Sequence, residues 1–247
     1  MKKKIKQLID SLIEGLVSQA VYHAKVKDMY SAQWDLAFED SQKFIYENST
    51  LKTLSFSGAD ATEKLYTHCF DELLSDGSLY EFGVFTGITL RKFSKLLYDR
   101  NDKRTIYGFD SFKGFSEEWS GLNEQYSQDI YDQDLILPET PDNTKLVPGF
   151  IEESLPIFLK SKNPEYVDFI HIDTDTYTPA KTALDLLKPY LRTGSIILFD
   201  ELCGYPNWRS HEYMALTEVF NESEFEYLGF AHNGPKALLI KAAIRIL

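Results

Sequence analysis

Residues 79–87, Leu79-Tyr80-Glu81-Phe82-Gly83-Val84-Phe85-Thr86-Gly87, run from an apolar strand through two glycines into a helical pattern that starts at Ile88. That succession is how a parallel sheet opens, because parallel neighbours need a crossover and the crossover is usually a helix. From here to residue 242 apolar runs and helical runs alternate. The strands read as Leu79–Phe85, Thr105–Ser111, Lys145–Pro148, Tyr166–Asp173, Ser195–Glu201, Phe225–Phe230 and Ala237–Ala242. Helices Ile88–Tyr98, Glu152–Leu159, Ala180–Leu191 and Glu212–Asn221 fall between them. Strands this apolar are covered on both faces, so the fold class is α/β. The last two are joined by His232-Asn233-Gly234-Pro235, too short for a crossover helix, and must pair antiparallel. A dinucleotide-binding domain would close with a parallel sixth strand instead.

Upstream of residue 76 the pattern is helical. Ile5, Leu8, Ile9, Leu12, Ile13, Leu16, Val17, Ala20 and Val21 follow helix spacing, and further helices are expected over Trp34–Tyr46 and Ala59–Leu74. Residues 1–75 are therefore expected to form a helical extension or lid packed on the domain built by 76–247. The apolar face of the first helix also suits a sister subunit, so a homodimer is an expectation. The stretch 112–144 is long, acidic and rich in Tyr, Trp, Gly and Pro, and connections of that length usually serve function or are disordered.

A chain of 247 residues with 43% hydrophobic and 26% charged positions has the balance of a folded globule. Its net charge of -12 disfavours nucleic-acid partners, whose binding draws on Lys and Arg. Cys69 and Cys203 lie far apart without metal-ligand spacing, which fits a reducing compartment. Asp10 and Glu14 interrupt what would be the apolar part of a signal peptide after Met1-Lys2-Lys3-Lys4, and no run approaches the roughly 18 apolar residues of a membrane span. A cytoplasmic protein with no membrane partner is the expectation.

Two groups of residues at the carboxyl edge of the sheet carry the chemistry. Gly83 and Gly87 stand where backbone must approach a ligand, although a tight strand-to-helix turn alone would also require them. Asp110 ends the second strand, where a carboxylate accepts both hydroxyls of a ribose; a turn or capping residue followed by Ser111 is the alternative. Phe150 and Glu152 after the third strand could flank an adenine. The fourth strand ends in Asp173-Thr174-Asp175 and the fifth in Asp200-Glu201, so carboxylates converge on one edge. Asp175 alone reads as a helix cap. Asp173, Asp200 and Glu201 together form a hard-oxygen set suited to Mg²⁺, Ca²⁺ or Mn²⁺. A metal there would bind a substrate hydroxyl, lower its pKa and align it with a methyl donor on the first two strands. His171 reads better as a satisfied core histidine than as a base. His211, near Tyr205 and Trp208 in the loop after the fifth strand, is the better candidate base, and these three with Tyr177 are candidates for contacting the acceptor.

The segments EFGVFTG (81–87), YGFDSFKGF (107–115), PGFIEESLP (148–156), FIHIDTDTYTPAK (169–181), GSIILFDELCGYP (194–206) and HEYMALTEVF (211–220) together resemble the macrocin O-methyltransferase (TylF/MycF-type) group of metal-dependent sugar O-methyltransferases. The resemblance implies a Rossmann-like class I methyltransferase fold: a seven-stranded sheet in the order 3-2-1-4-5-7-6 with strand 7 antiparallel. It implies S-adenosylmethionine bound at Glu81, Gly83 and Asp110, and Phe82, Gly87, Ser111, Phe150, Glu152 and Asp173 are expected beside them. It further implies Mg²⁺ on Asp173, Asp200 and Glu201 and a sugar or glycoside as acceptor; Asp173 and His211 are the expected catalytic residues. Glu201 departs from the family, which tends to have a second aspartate there. Three alternatives stay open: a metal-free methyltransferase with His211 or Asp173 as base, a His171-Ile172-Asp173 iron site of oxygenase type, and a non-catalytic binding protein.

Overall fold

The computed structural model describes residues 29–117, 131–233 and 239–247, apart from the side chain of Tyr30. The helix expected over 5–21 and the centre of the 112–144 connection lie outside the described residues. In chain order the elements are α1 (Met29–Asn48), β1 (Leu54–Ser57), α2 (Ala61–Asp71), β2 (Ser78–Phe82), α3 (Ile88–Asp99), β3 (Ile106–Asp110), β4 (Thr144–Pro148), α4 (Ile151–Lys162), β5 (Val167–Ile172), α5 (Tyr177–Leu187), β6 (Ile196–Cys203), α6 (Glu212–Val219), β7 (Phe225–His232) and β8 (Ile240–Ile246).

The sheet has eight strands in the order β4-β3-β2-β5-β6-β8-β7-β1. β8 runs antiparallel to both neighbours and every other pair is parallel. Without β1 this is the expected order. β1 is a correction: Leu54–Ser57 adds an edge strand beside β7 in a stretch read as a connection between helices. Its four residues are mostly exposed, so they carry none of the apolar alternation that marks a half-buried strand. β8 is a second correction: Ala237, its expected start, lies outside the described residues, and the strand runs on to Ile246 where the expected one ended at Ala242. Its apolar run is continuous enough to slide, and the pairing of Ile244 with both Tyr227 and Ile197 fixes it.

The period-2 pleat sorts each strand between two cores. Tyr80, Phe82, Phe109, Ile170, Ile172, Ile197 and Phe199 face α4, α5 and α6, joined by Phe44 of α1. Leu79, Phe169, Ile196 and Leu198 face α2 and α3. α3 shows why its sequence is helical: Leu90, Phe93, Ser94 and Leu97 bury one stripe at helical spacing. The same pleat places Glu81 and His171 on the α2/α3 side, inside an otherwise largely apolar layer. Polar groups buried there must find partners or pay a desolvation cost, and that requirement shapes the site.

Candidate active site

β2 ends in a turn that glycine alone can make. Gly83 sits at φ +88°, and a Cβ there would lie 1.7 Å from the carbonyl oxygen of Asp173. The close approach ties two strand ends together: Gly83 N donates to Phe109 O (2.9 Å) and Asp173 N to Phe82 O (2.8 Å). Asp110 orders the rest of the turn. Its Oδ2 accepts from Val84 N (2.8 Å) and Phe85 N (2.7 Å), and its Oδ1 from Phe112 N (2.7 Å). The carboxylate thus presents a fixed loop and keeps one acceptor position, on Oδ1, for a ligand.

Above the turn lies a cleft of about 300 Å³ lined by Gly83, Asp110, Ser111, Phe150, Glu152 and Asp173 on one side and Asp175, Asp200 and Glu201 on the other. Six of the nine residues expected at the cofactor line it. Glu81, Phe82 and Gly87 are not among the lining residues; Phe82 is core, Gly87 starts α3, and Glu81 points into the α2/α3 layer. Phe85, Phe115 and Tyr131 add an aromatic wall, with ring centroids 5.1 and 5.0 Å apart. Glu117 holds the connection after β3 across the site, accepting from Thr178 N and Thr178 Oγ1, both at 2.7 Å. It thereby satisfies a free amide at the start of α5.

Behind the cleft runs a buried chain of alternating charge. His171 Nδ1 lies 3.3 Å from Glu81 Oε1 and His171 Nε2 lies 3.5 Å from Asp200 Oδ1. Tyr66 donates to the same Asp200 oxygen at 3.3 Å, and Lys241 Nζ lies 2.5 Å from Asp200 Oδ2. Burial works against the imidazolium, yet Asp200 and Glu81 outweigh it and raise His171 to about 10. Burial likewise opposes ionisation of Asp200, and Lys241 and His171 overcome it, holding that carboxyl well below its usual range. His171 is thus a core histidine held between two carboxylates, with its Nε2 in ion-pair range of Asp200 but without a hydrogen bond among the described residues. Because β6 outruns β5, the pleat sends Asp200 toward Tyr66 and His171 while Glu201 turns to Asp175 and Glu212. Glu212 spans the two strand ends, accepting from Thr174 N (3.4 Å) and Glu201 N (3.3 Å).

The remaining carboxyls are in no ion pair among the described residues. Burial first, then their neighbours, raise Asp173 and Glu201 well above the ordinary range, Asp175 to about 7 and Glu212 to about 8. Glu201 Oε2 is buried without a hydrogen-bond partner among the described residues. Counting Glu81 and Asp200, six acidic side chains face two basic ones. A hard divalent cation at Asp173, Asp200 and Glu201 fits this donor set and this deficit. The tightest grouping of metal-capable atoms among the described residues is a different one, Glu81, His171 and Asp173, within 4.8 Å of one another. In that group the His171 ring already lies between Glu81 Oε1 at 3.3 Å and Asp200 Oδ1 at 3.5 Å.

The residues expected at the acceptor are not among the lining residues of the cleft. Tyr205 and Trp208 are core, with Trp208 packed on Phe44 and Tyr213. Tyr177 donates to Glu218 at 2.5 Å on the outside of α5. His211 is buried against Tyr205, its pKa lowered by burial, and is not among the lining residues. Aromatic residues after a strand are more often core than ligand contacts, and α1 supplies that core here. Sequence reading also missed Lys241, Glu212, Tyr66 and Glu117. Lys241 had a signal: a lysine inside the buried run Ile240–Ile246 must have a partner.

A methyltransferase-domain family model matches residues 80–202. No curated protein matches the chain in sequence. Among solved structures, CalS11, a calicheamicin methyltransferase, is 26% identical, with 74% of this chain and 76% of that chain covered and a TM-score of 0.56. An apo CalS11 structure, described as a TDP-rhamnose 3'-O-methyltransferase of calicheamicin biosynthesis, is 23% identical over 90% of this chain and 97% of that one, with a TM-score of 0.52. The O-methyltransferase NovP is 17% identical over 75% and 79%, with a TM-score of 0.48. The chain has a Rossmann-like methyltransferase fold, and residues 80–202, which carry the glycine turn and the carboxylates of the cleft, match the methyltransferase-domain family.

Proposed function

We propose that the protein transfers the methyl group of S-adenosylmethionine to a hydroxyl of a sugar or sugar-bearing small molecule, as the macrocin O-methyltransferase (TylF/MycF-type) group does. The observation that carries this reading is one cleft running from the Gly83 turn and Asp110 to the buried carboxyls Asp173, Asp175, Asp200 and Glu201. The glycine turn suits the donor and the carboxyl end suits a hydroxyl. CalS11, at 26% identity, is by its description a rhamnose O-methyltransferase, which supports a sugar acceptor. Asp173, Asp200 and Glu201 would hold Mg²⁺, which when bound lowers the pKa of a hydroxyl it ligates.

The chain's own residues set the geometry of transfer. The acceptor oxygen attacks the methyl carbon, the carbon–sulfur bond breaks, and S-adenosylhomocysteine leaves. The hydroxyl proton passes to the Asp173 carboxylate, which lines the same cleft. Gly83 and Asp110 hold the donor side rigid, which is where positioning contributes most to rate. Phe85, Phe115 and Tyr131 exclude water from the same opening. Residues 1–75 would serve as extension and lid.

The test is incubation with S-adenosylmethionine and a panel of nucleotide sugars and glycosides, with Mg²⁺ or with a chelator, reading methylated product by mass spectrometry. Product from a sugar hydroxyl that disappears on chelation is expected. Methylation confined to acceptors without a sugar would overturn the acceptor class, and undiminished turnover in chelator would remove the cation.

A further inference from the structure

Lys241 is the one lysine of β8, and its place is set by the backbone. β6 and β8 pair regularly up to Phe199 and Ala242, then the register jumps so that Cys203 meets Ile240. Four steps on β6 thus face two on β8, a bulge that holds Asp200, Glu201 and Leu202 opposite Lys241. The ammonium lies 2.5 Å from Asp200 Oδ2 and 3.3 Å from the Asp200 carbonyl oxygen, with both side chains 15% exposed. The other Asp200 oxygen is taken by Tyr66 and faced by His171. Asp200 therefore has a cation on each oxygen before any ion arrives, whereas Glu201 keeps a buried oxygen without a partner among the described residues.

We infer that Lys241 is a fixed internal cation of the cleft: it engages one arm of the carboxylate cluster, competes with a divalent ion for Asp200 and weakens cation binding there. The inference rests on the reading of Asp173, Asp200 and Glu201 as cation ligands. Two physical effects act together. The ammonium repels a second positive charge only a few ångströms away in a poorly solvated site. It also engages the oxygen that the ion would need, and that hydrogen bond must be surrendered for coordination. Lys241 acts through Asp200, so it is a positioning residue whose removal strengthens cation binding.

The experiment is titration of Mn²⁺ into the full-length protein by calorimetry and by the paramagnetic resonance signal of the free ion, for the wild type, K241M, K241Q and K241R. Binding of S-adenosylhomocysteine by each variant reports folding independently of the metal. K241M and K241Q are expected to bind Mn²⁺ at least about tenfold more tightly than the wild type, and K241R to stay within about threefold of it. D200N should abolish the gain in the K241M background, where Asp200 is the ligand set free. Equal Mn²⁺ affinity in the wild type, K241M and K241Q would overturn the inference and leave the cation site standing. Absence of Mn²⁺ binding in every variant that still binds S-adenosylhomocysteine would overturn both, with the methyltransferase domain untouched. Should K241M not fold, K241Q and K241R decide between these outcomes.

Discussion

Replacing Gly83 with alanine tests how the cleft is held. The new Cβ would stand 1.7 Å from Asp173 O, so roughly 1.3 Å of separation must open before the contact reaches even 3.0 Å. The movement falls on the Gly83–Phe109 and Asp173–Phe82 hydrogen bonds, which join β2 to β3 and β5. Backbone at φ +88° adds about 1–3 kcal/mol of strain for a residue with a Cβ. A total of about 3 kcal/mol lowers Tm by roughly 6–12 °C in a domain of this size. Displacement of the donor side by about 1 Å costs on the order of 10²-fold in transfer rate. Gly58 supplies the control: its φ is +100°, but nothing lies within 4 Å of the position a Cβ would take, so G58A carries strain without collision. Thermal melts and S-adenosylhomocysteine titrations of both variants read the difference. If G83A melts like G58A and binds S-adenosylhomocysteine within about threefold of wild type, the close approach does not shape the cofactor side.

H211Q should lower kcat by less than about tenfold, because the ring is packed on Tyr205 away from the lining residues, whereas loss of a general base costs ~10²–10⁴-fold. E117A removes the acceptor of Thr178 N and Oγ1, and is expected to speed hydrogen exchange at that amide and raise KM with a stability loss of about 0.5–2 kcal/mol. Burial pushes the Cys69 and Cys203 thiols up to about 12, so neither should be alkylated at pH 8 in the folded protein, and both should react after denaturation.

The order of the sheet was legible because β2, β3, β5 and β6 are buried on both faces and each is followed by a helix or hairpin signal. Gly83, Asp110, Asp173 and Asp200 were legible for a related reason: strand ends of a parallel sheet lie on one edge, so residues there meet whatever their spacing. What failed needed tertiary information. β1 is four exposed residues whose only reason to be a strand is the free edge of β7. Tyr205 and Trp208 look like acceptor contacts until Phe44 of α1 is packed on them. The pairing of Lys241 with Asp200 depends on a bulge that no local pattern encodes. Consecutive acids at 200 and 201 read as one ligand pair, yet the pleat turns them to different partners, His171 and Tyr66 for one, Asp175 for the other.

The most direct test of the central claim is calorimetric titration of the purified protein with S-adenosylhomocysteine, once with Mg²⁺ and once with a chelator. Saturable binding at one site per chain in both conditions, lost in G83A and retained in H211Q, is the predicted result. No binding heat in either condition, with the protein shown to be folded, would contradict the assignment of this cleft to S-adenosylmethionine-dependent methyl transfer.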